Sequence, residues 1–140
     1  FFAIARVFRR WAASWLLLAS MASAVLRWWA TALWPGNLPV MLVAQATHAL
    51  SFAAFFAAAM QLLARHFPGP LNGHAQGLFY GFSSGLGGVL GALVAGQLWP
   101  HGEGRVAFLA AGTFALAGCV IAWIWVVPRR GNPAASSDPG

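Results

Sequence analysis

Long apolar runs alternate along this chain with short clusters of Pro, Gly, Arg and His. Four such runs are predicted as helices, over about 11–33, 38–64, 74–99 and 106–127. Each exceeds the ~20 residues that a helix needs to cross ~30 Å of hydrocarbon. None shows the alternation of a lipid-facing strand, which argues against a barrel. The breaks are turn clusters: Trp34-Pro35-Gly36-Asn37, Arg65-His66-Phe67-Pro68-Gly69-Pro70 and Pro100-His101-Gly102-Glu103-Gly104, with Pro128-Arg129-Arg130 after the last run. The pattern predicts an all-α membrane fold of four transmembrane helices within 11–127. Residues 1–10 read as the end of a truncated helix, Phe1 to Ala5, followed by an Arg-rich cytoplasmic loop. Residues 128–140 are small, polar and Pro-punctuated, and are expected to be a disordered cytoplasmic tail.

Composition supports a lipid solvent. Apolar residues make up 60% of the chain and charged residues 7%, where a soluble domain carries about a quarter charged. The net charge of +6 comes from eight Arg against Glu103 and Asp138. These Arg stand in short runs between apolar segments, a topology signal, and are not gathered on one soluble face as nucleic-acid binding requires. Arg6, Arg9, Arg10, Arg65, Arg129 and Arg130 fall on one side of four alternating helices, and Arg105 on the other is offset by Glu103. The expectation is a multi-pass protein of a bacterial-type inner (plasma) membrane with a cytoplasmic C-terminus. Trp11, Trp34, Trp99 and Trp125 lie near segment ends, where indole rings favour the headgroup layer.

The residues available for chemistry argue against an enzyme. Both acids lie outside the apolar runs, so no carboxylate pair exists for acid–base work. No H-E-x-x-H occurs, and Cys119 has no His or Cys at ligand spacing. Neither a cofactor nor a metal is expected.

Four polar or flexible features remain. Gly77, Gly81 and Gly85 recur every four residues in the third run, Gly87 and Gly91 repeat the spacing on another face, and Gly88 is counted with them for helix packing. Such spacing lets helix backbones approach closely, so this helix is expected to be squeezed between neighbours, as moving element, static packing helix or dimer seam. A nucleotide-binding reading fails because no strand precedes the glycines and no Lys-Ser/Thr follows. His48 lies eleven residues beyond Asn37, ~16 Å along a helix and near the bilayer midplane. It shares a helical face with Met41, Gln45, Phe52 and Phe55. That stripe suits an amphiphilic ligand, and the imidazole suits a coupling proton; a histidine bonded to a neighbouring helix fits the same position. Arg27, beside Trp28 and Trp29, lies ~10 Å from the outer end of its helix and reads either as an interfacial anchor or as a partner for a substrate carboxylate. Ser83 and Ser84 are expected to bond carbonyls of their own helix.

The Arg-rich loop, Arg27-Trp28, the run Gln45-Ala46-Thr47-His48-Ala49-Leu50-Ser51-Phe52, and the helix opening Ala75-Gln76-Gly77-Leu78 and continuing through Gly85 to Gly91 resemble the late helices of the major facilitator superfamily. The nearest likeness is to its phenylpropionate permease-like branch, related to lactose permease and the nucleoside–proton symporters. That resemblance implies helices nine to twelve of a twelve-helix transporter, with substrate bound at the midplane and alternating access by rocking. It implies as partners the missing N-terminal helices, a proton, and a small organic substrate such as an aromatic acid, a sugar or a nucleoside. Gln45, His48, Phe52 and Arg27 would then line the substrate or proton pathway. Thr47 departs from the apolar residue usual in that branch. Two other readings stand beside this one: a self-contained four-helix protein dimerising through its glycine faces, and a subunit of a membrane enzyme.

Overall fold

The computed structural model describes residues 12–102 and 104–126. The expected loop at 1–10 and tail at 128–140 lie outside the described residues. Among the described residues four helices follow one another: α1 (Ala13–Leu33), α2 (Leu38–His66), α3 (Leu71–His101) and α4 (Arg105–Trp125), all long and apolar enough to cross a membrane. The 21 residues of α1 and of α4 rise about 31 Å, the thickness of the hydrocarbon layer. α2 and α3, with 29 and 31 residues, overshoot that layer and must tilt or project from it.

Local chemistry sets the boundaries. Asn37 caps α2 by accepting the Val40 N–H at 3.1 Å, and Pro39 stands in the first turn, where its missing N–H costs nothing. At the other end α2 runs two residues past the predicted Ala64. Arg65 and His66 suit the negative end of the helix dipole, and His66 Nδ1 lies 2.8 Å from the Leu62 carbonyl. α3 begins at Leu71, before the predicted His74, because Pro70 already holds a helical φ of −61°. Gly69 and Gly104 take positive φ, 71° and 83°, which bends the chain back at the α2–α3 and α3–α4 turns.

Neighbouring helices run antiparallel. From Met21 to Trp29 along α1, the partners in α4 pass from Gly118 to Gly112. Phe56 meets Phe79 and Tyr80 across α2 and α3, and Trp99 meets Phe108 across α3 and α4. α1 is the centre of the arrangement, packing along its length against both α2 and α4. The residues buried at these contacts are small: Ala13, Ser14, Ser20 and Ala32 in α1, Ala44, Ala58 and Ala59 in α2, and Ala107, Gly112 and Ala122 in α4. Leu17 joins Ala58, Ala59 and Ala122 in the core. Lipid is as apolar as leucine, so close backbone approach and the dispersion it gains must hold the helices together. Ser20 is buried without an orphan hydroxyl because its Oγ donates to the Leu17 carbonyl at 2.7 Å.

The glycine helix behaves differently from expectation. α3 contains no buried residue, and a Cβ added at Gly77, Gly81, Gly85, Gly88 or Gly91 would meet nothing within 4 Å. Gly87 would meet only the Phe82 carbonyl of its own helix, at 3.2 Å. Among the described residues α3 is therefore not squeezed between neighbours. The tight seams belong to the alanines and serines of α1 instead.

Two predictions follow from these placements. In a Cys119→Ser background, a cysteine replacing exposed His101 should react with an impermeant thiol reagent in intact cells. One replacing exposed His66 should react only after permeabilisation, and the reverse pattern would overturn the arginine-based orientation. At Gly112 an added methyl would run into the Trp29 ring, so Gly112→Ala should destabilise the detergent-solubilised protein by about 1–3 kcal/mol, the usual cost of overpacking. Gly36→Ala, at a turn position with nothing within 4 Å, should leave its thermal midpoint unchanged or slightly raised.

Candidate functional site

Between the helices lies a cavity of about 580 Å³, lined from all four. Its lining spans the middle of each helix: Ala24 and Arg27 in α1, His48 to Phe56 in α2, Ser83 to Gly87 in α3 and Ala115 in α4. α1 and α2 run antiparallel, and Arg27 lies one turn past the centre of α1 while His48 lies one turn before the centre of α2. Both are displaced toward the Trp34–Asn37 turn, His48 about one turn deeper than Arg27, and both line this cavity. His48, expected deep in its span, stands about one turn from the middle of α2, and Arg27 joins it on the same cavity.

Arg27 is half-buried. Its Cζ lies 3.9 Å from the centroid of the Trp28 ring, a cation–π distance. Trp28 in turn stacks on Phe108 of α4 at 5.6 Å and 20°. Arg27 Nε is buried and has no hydrogen-bond partner among the described residues. A second cavity of about 430 Å³ runs between α1 and α2 from Ala30 and Pro39 to Ser23 and Thr47, and Arg27 lines this one too. The guanidinium therefore lies at the junction of two spaces, with donor capacity left unspent.

His48 presents its ring edge to Phe52 at 5.6 Å. No hydrogen bond joins either ring nitrogen to another described residue, while the His48 carbonyl accepts from Ser51 Oγ at 3.2 Å. From Phe52 an aromatic chain continues to Phe56 at 4.7 Å and on to Tyr80 of α3 at 5.5 Å, with Phe55 and Phe79 packed beside it. Phe52 and Phe55 were legible on the His48 face; Phe56 was not, because at eight residues from His48 it continues the stripe beyond the stretch that carried polar groups.

Across the cavity the backbone of α3 departs from α geometry. Gly81–Leu86 forms a π-helical turn, in which the Gly87 N–H bonds to the Phe82 carbonyl five residues back. Such turns recur at functional positions. Glycines with no side chain to lock the α form allow it, and Ser83 Oγ donates to the Phe79 carbonyl at 2.6 Å, as expected of an intrahelical serine. Ser83 and Ser84 both face the cavity. Nothing in the sequence pattern distinguished this turn from the glycines on either side of it.

Gln45 is not brought to the cavity. It is exposed, because three residues back from His48 is about 60° round the helix and one turn nearer Asn37. The polar group that accompanies His48 is Arg27, from another helix.

The family model described as MFS_1 like family matches residues 1–110, from the first residue into α4. No curated protein and no solved structure matches the chain.

Proposed function

The chain belongs to the MFS_1 like family, and from that premise we propose that it forms part of a secondary active transporter carrying a small organic solute across the membrane. The observation that carries this reading is the mid-depth cavity of about 580 Å³ shared by Arg27, His48 and an aromatic wall. That volume falls within the range of small-molecule sites, and such sites are mostly apolar with a few convergent polar groups. Transporters of this kind bind substrate near the bilayer midplane, and ionisable groups at that depth belong to substrate or ion paths. An aromatic acid, a sugar or a nucleoside would each find ring contacts on Phe52, Phe55 and Phe56 and polar contacts on the opposite wall.

In this reading His48 is the proton-linked group. Its ring nitrogens are not tied to another described helix, and an imidazole can both accept and give up a proton. The bare glycine faces of α3, with Gly77, Gly81 and Gly85 on one and Gly87 and Gly91 on the other, would seat further helices of the same transporter. The π-helical turn between them gives α3 a place to bend as the two halves rock. The C-terminus would then be cytoplasmic, as the arginine distribution argues.

The test is transport by the protein expressed from its natural coding sequence and reconstituted in liposomes with an imposed proton gradient. Labelled benzoate, galactose and uridine sample the three solute classes, and at least one should accumulate and be released by a protonophore. His48→Gln should abolish that uphill accumulation while sparing counterflow exchange, which moves no net proton. Accumulation by His48→Gln at the wild-type level would remove His48 from the proton path.

A further inference from the structure

Arg27 is the one described cation on the cavity wall, and the ring that fixes it, Trp28, stands beside it on that wall and is anchored behind by α4. A free arginine at this depth would swing its long side chain toward water. Here its guanidinium lies over Trp28 at 3.9 Å. Trp28 is itself held by the Phe108 ring, at 5.6 Å and nearly parallel, and Phe108 is backed by Trp99 at 6.2 Å. The Trp99 ring rests against the α3–α4 turn, where a Cβ on Gly104 would come 2.9 Å from its Cη2. The stack therefore ends on backbone, in a turn whose glycine holds a left-handed conformation that other residues rarely adopt.

Two further facts define what the held guanidinium can do. Its Nε is buried with no partner among the described residues, and it borders both the central cavity and the groove leading toward Pro39. No described side chain carries negative charge, since Glu103 and Asp138 lie outside the described residues. A planar, permanently charged donor in partly desolvated surroundings selects an oxyanion.

We propose that Trp28 is a positioning residue: pinned by Phe108, it holds the Arg27 guanidinium at the junction of the two cavities to receive an oxyanion of the solute. This rests on the reading of the cavity as a solute site and narrows the solute to an organic anion. Arg27 makes the contact, and Trp28 acts through it by removing the rotamer freedom that would otherwise be lost on binding.

The probes are benzenesulfonate and its neutral isostere benzenesulfonamide, because a sulfonate stays ionised at any working pH. Affinity is measured by calorimetry on the purified protein in neutral detergent, where no lipid phosphate competes. The wild type should bind the sulfonate about tenfold or more tightly than the sulfonamide, as a charge-assisted hydrogen bond allows. Arg27→Met should erase that preference. Trp28→Leu should weaken sulfonate binding about threefold to tenfold, the range of a partly buried cation–π contact, and weaken sulfonamide binding, which loses only wall contact, clearly less. Trp28→Phe, which keeps an aromatic face, should restore most of it. Equal weakening of both probes by Trp28→Leu, or of neither, overturns the positioning role. Equal binding of both probes by the wild type overturns the oxyanion assignment and leaves the solute cavity standing, whereas binding of neither removes the cavity reading with it.

Discussion

Everything in this arrangement depends on how closely α1 can approach its two partners. In lipid the helices gain nothing by hiding apolar surface from one another, so contact must come from backbones brought near enough for dispersion to count. α1 meets that demand with Ala13, Ser14, Ser20 and Ala32, α2 with Ala44, Ala58 and Ala59, and α4 with Gly112 and Ala122. At Gly112 the approach is so close that the Trp29 ring occupies the space a side chain would need. The same closeness keeps Trp29 and Met21 against α4, and so orients α1 with Ala24, Arg27 and Trp28 on the cavity side.

The cavity follows from this seam. Around mid-depth α2 carries rings, Phe52, Phe55 and Phe56, where its buried contacts further along are alanines. Large side chains hold α3 off from α2, and α3 makes few contacts with the rest of the bundle. A space is left that small residues would have closed. Burying an arginine beside it is costly, and the cost is met partly by the Trp28 face and partly by the openness of the two cavities to polar occupants.

The helices were legible because hydropathy over twenty or more residues outweighs any local ambiguity, and the turns because Pro, Gly and Asn mark them chemically. Boundaries shifted by a few residues where caps decided: His66 extended α2 and Pro70 began α3 earlier. His48 was legible from depth alone. The resemblance put Arg27 with His48 on one pathway, but the helical wheel could not, since their shared cavity arises from two antiparallel helices meeting, and the wheel offered Gln45 instead. The packing seam was missed for a related reason. Regular glycine spacing in α3 is conspicuous, whereas the alanines and serines of α1 and α2 are irregularly spaced among other small residues and declare themselves only once partners are known. The glycines of α3 remain bare among the described residues.

The seam between α1 and α4 can be measured directly. Cys119 Sγ lies 4.0 Å from the Leu18 carbonyl, so a cysteine at position 18 should stand within disulfide reach of the native thiol. Mild oxidation of the membrane-embedded Leu18→Cys protein should consume both thiols in an intramolecular bond, seen by mass spectrometry of the linked peptides. The same treatment of Ala92→Cys, on exposed α3, should leave Cys119 free. A Cys119 that links to position 92 and not to position 18 would contradict the account, because α1 would then not be the helix on which the fold and its cavity are built.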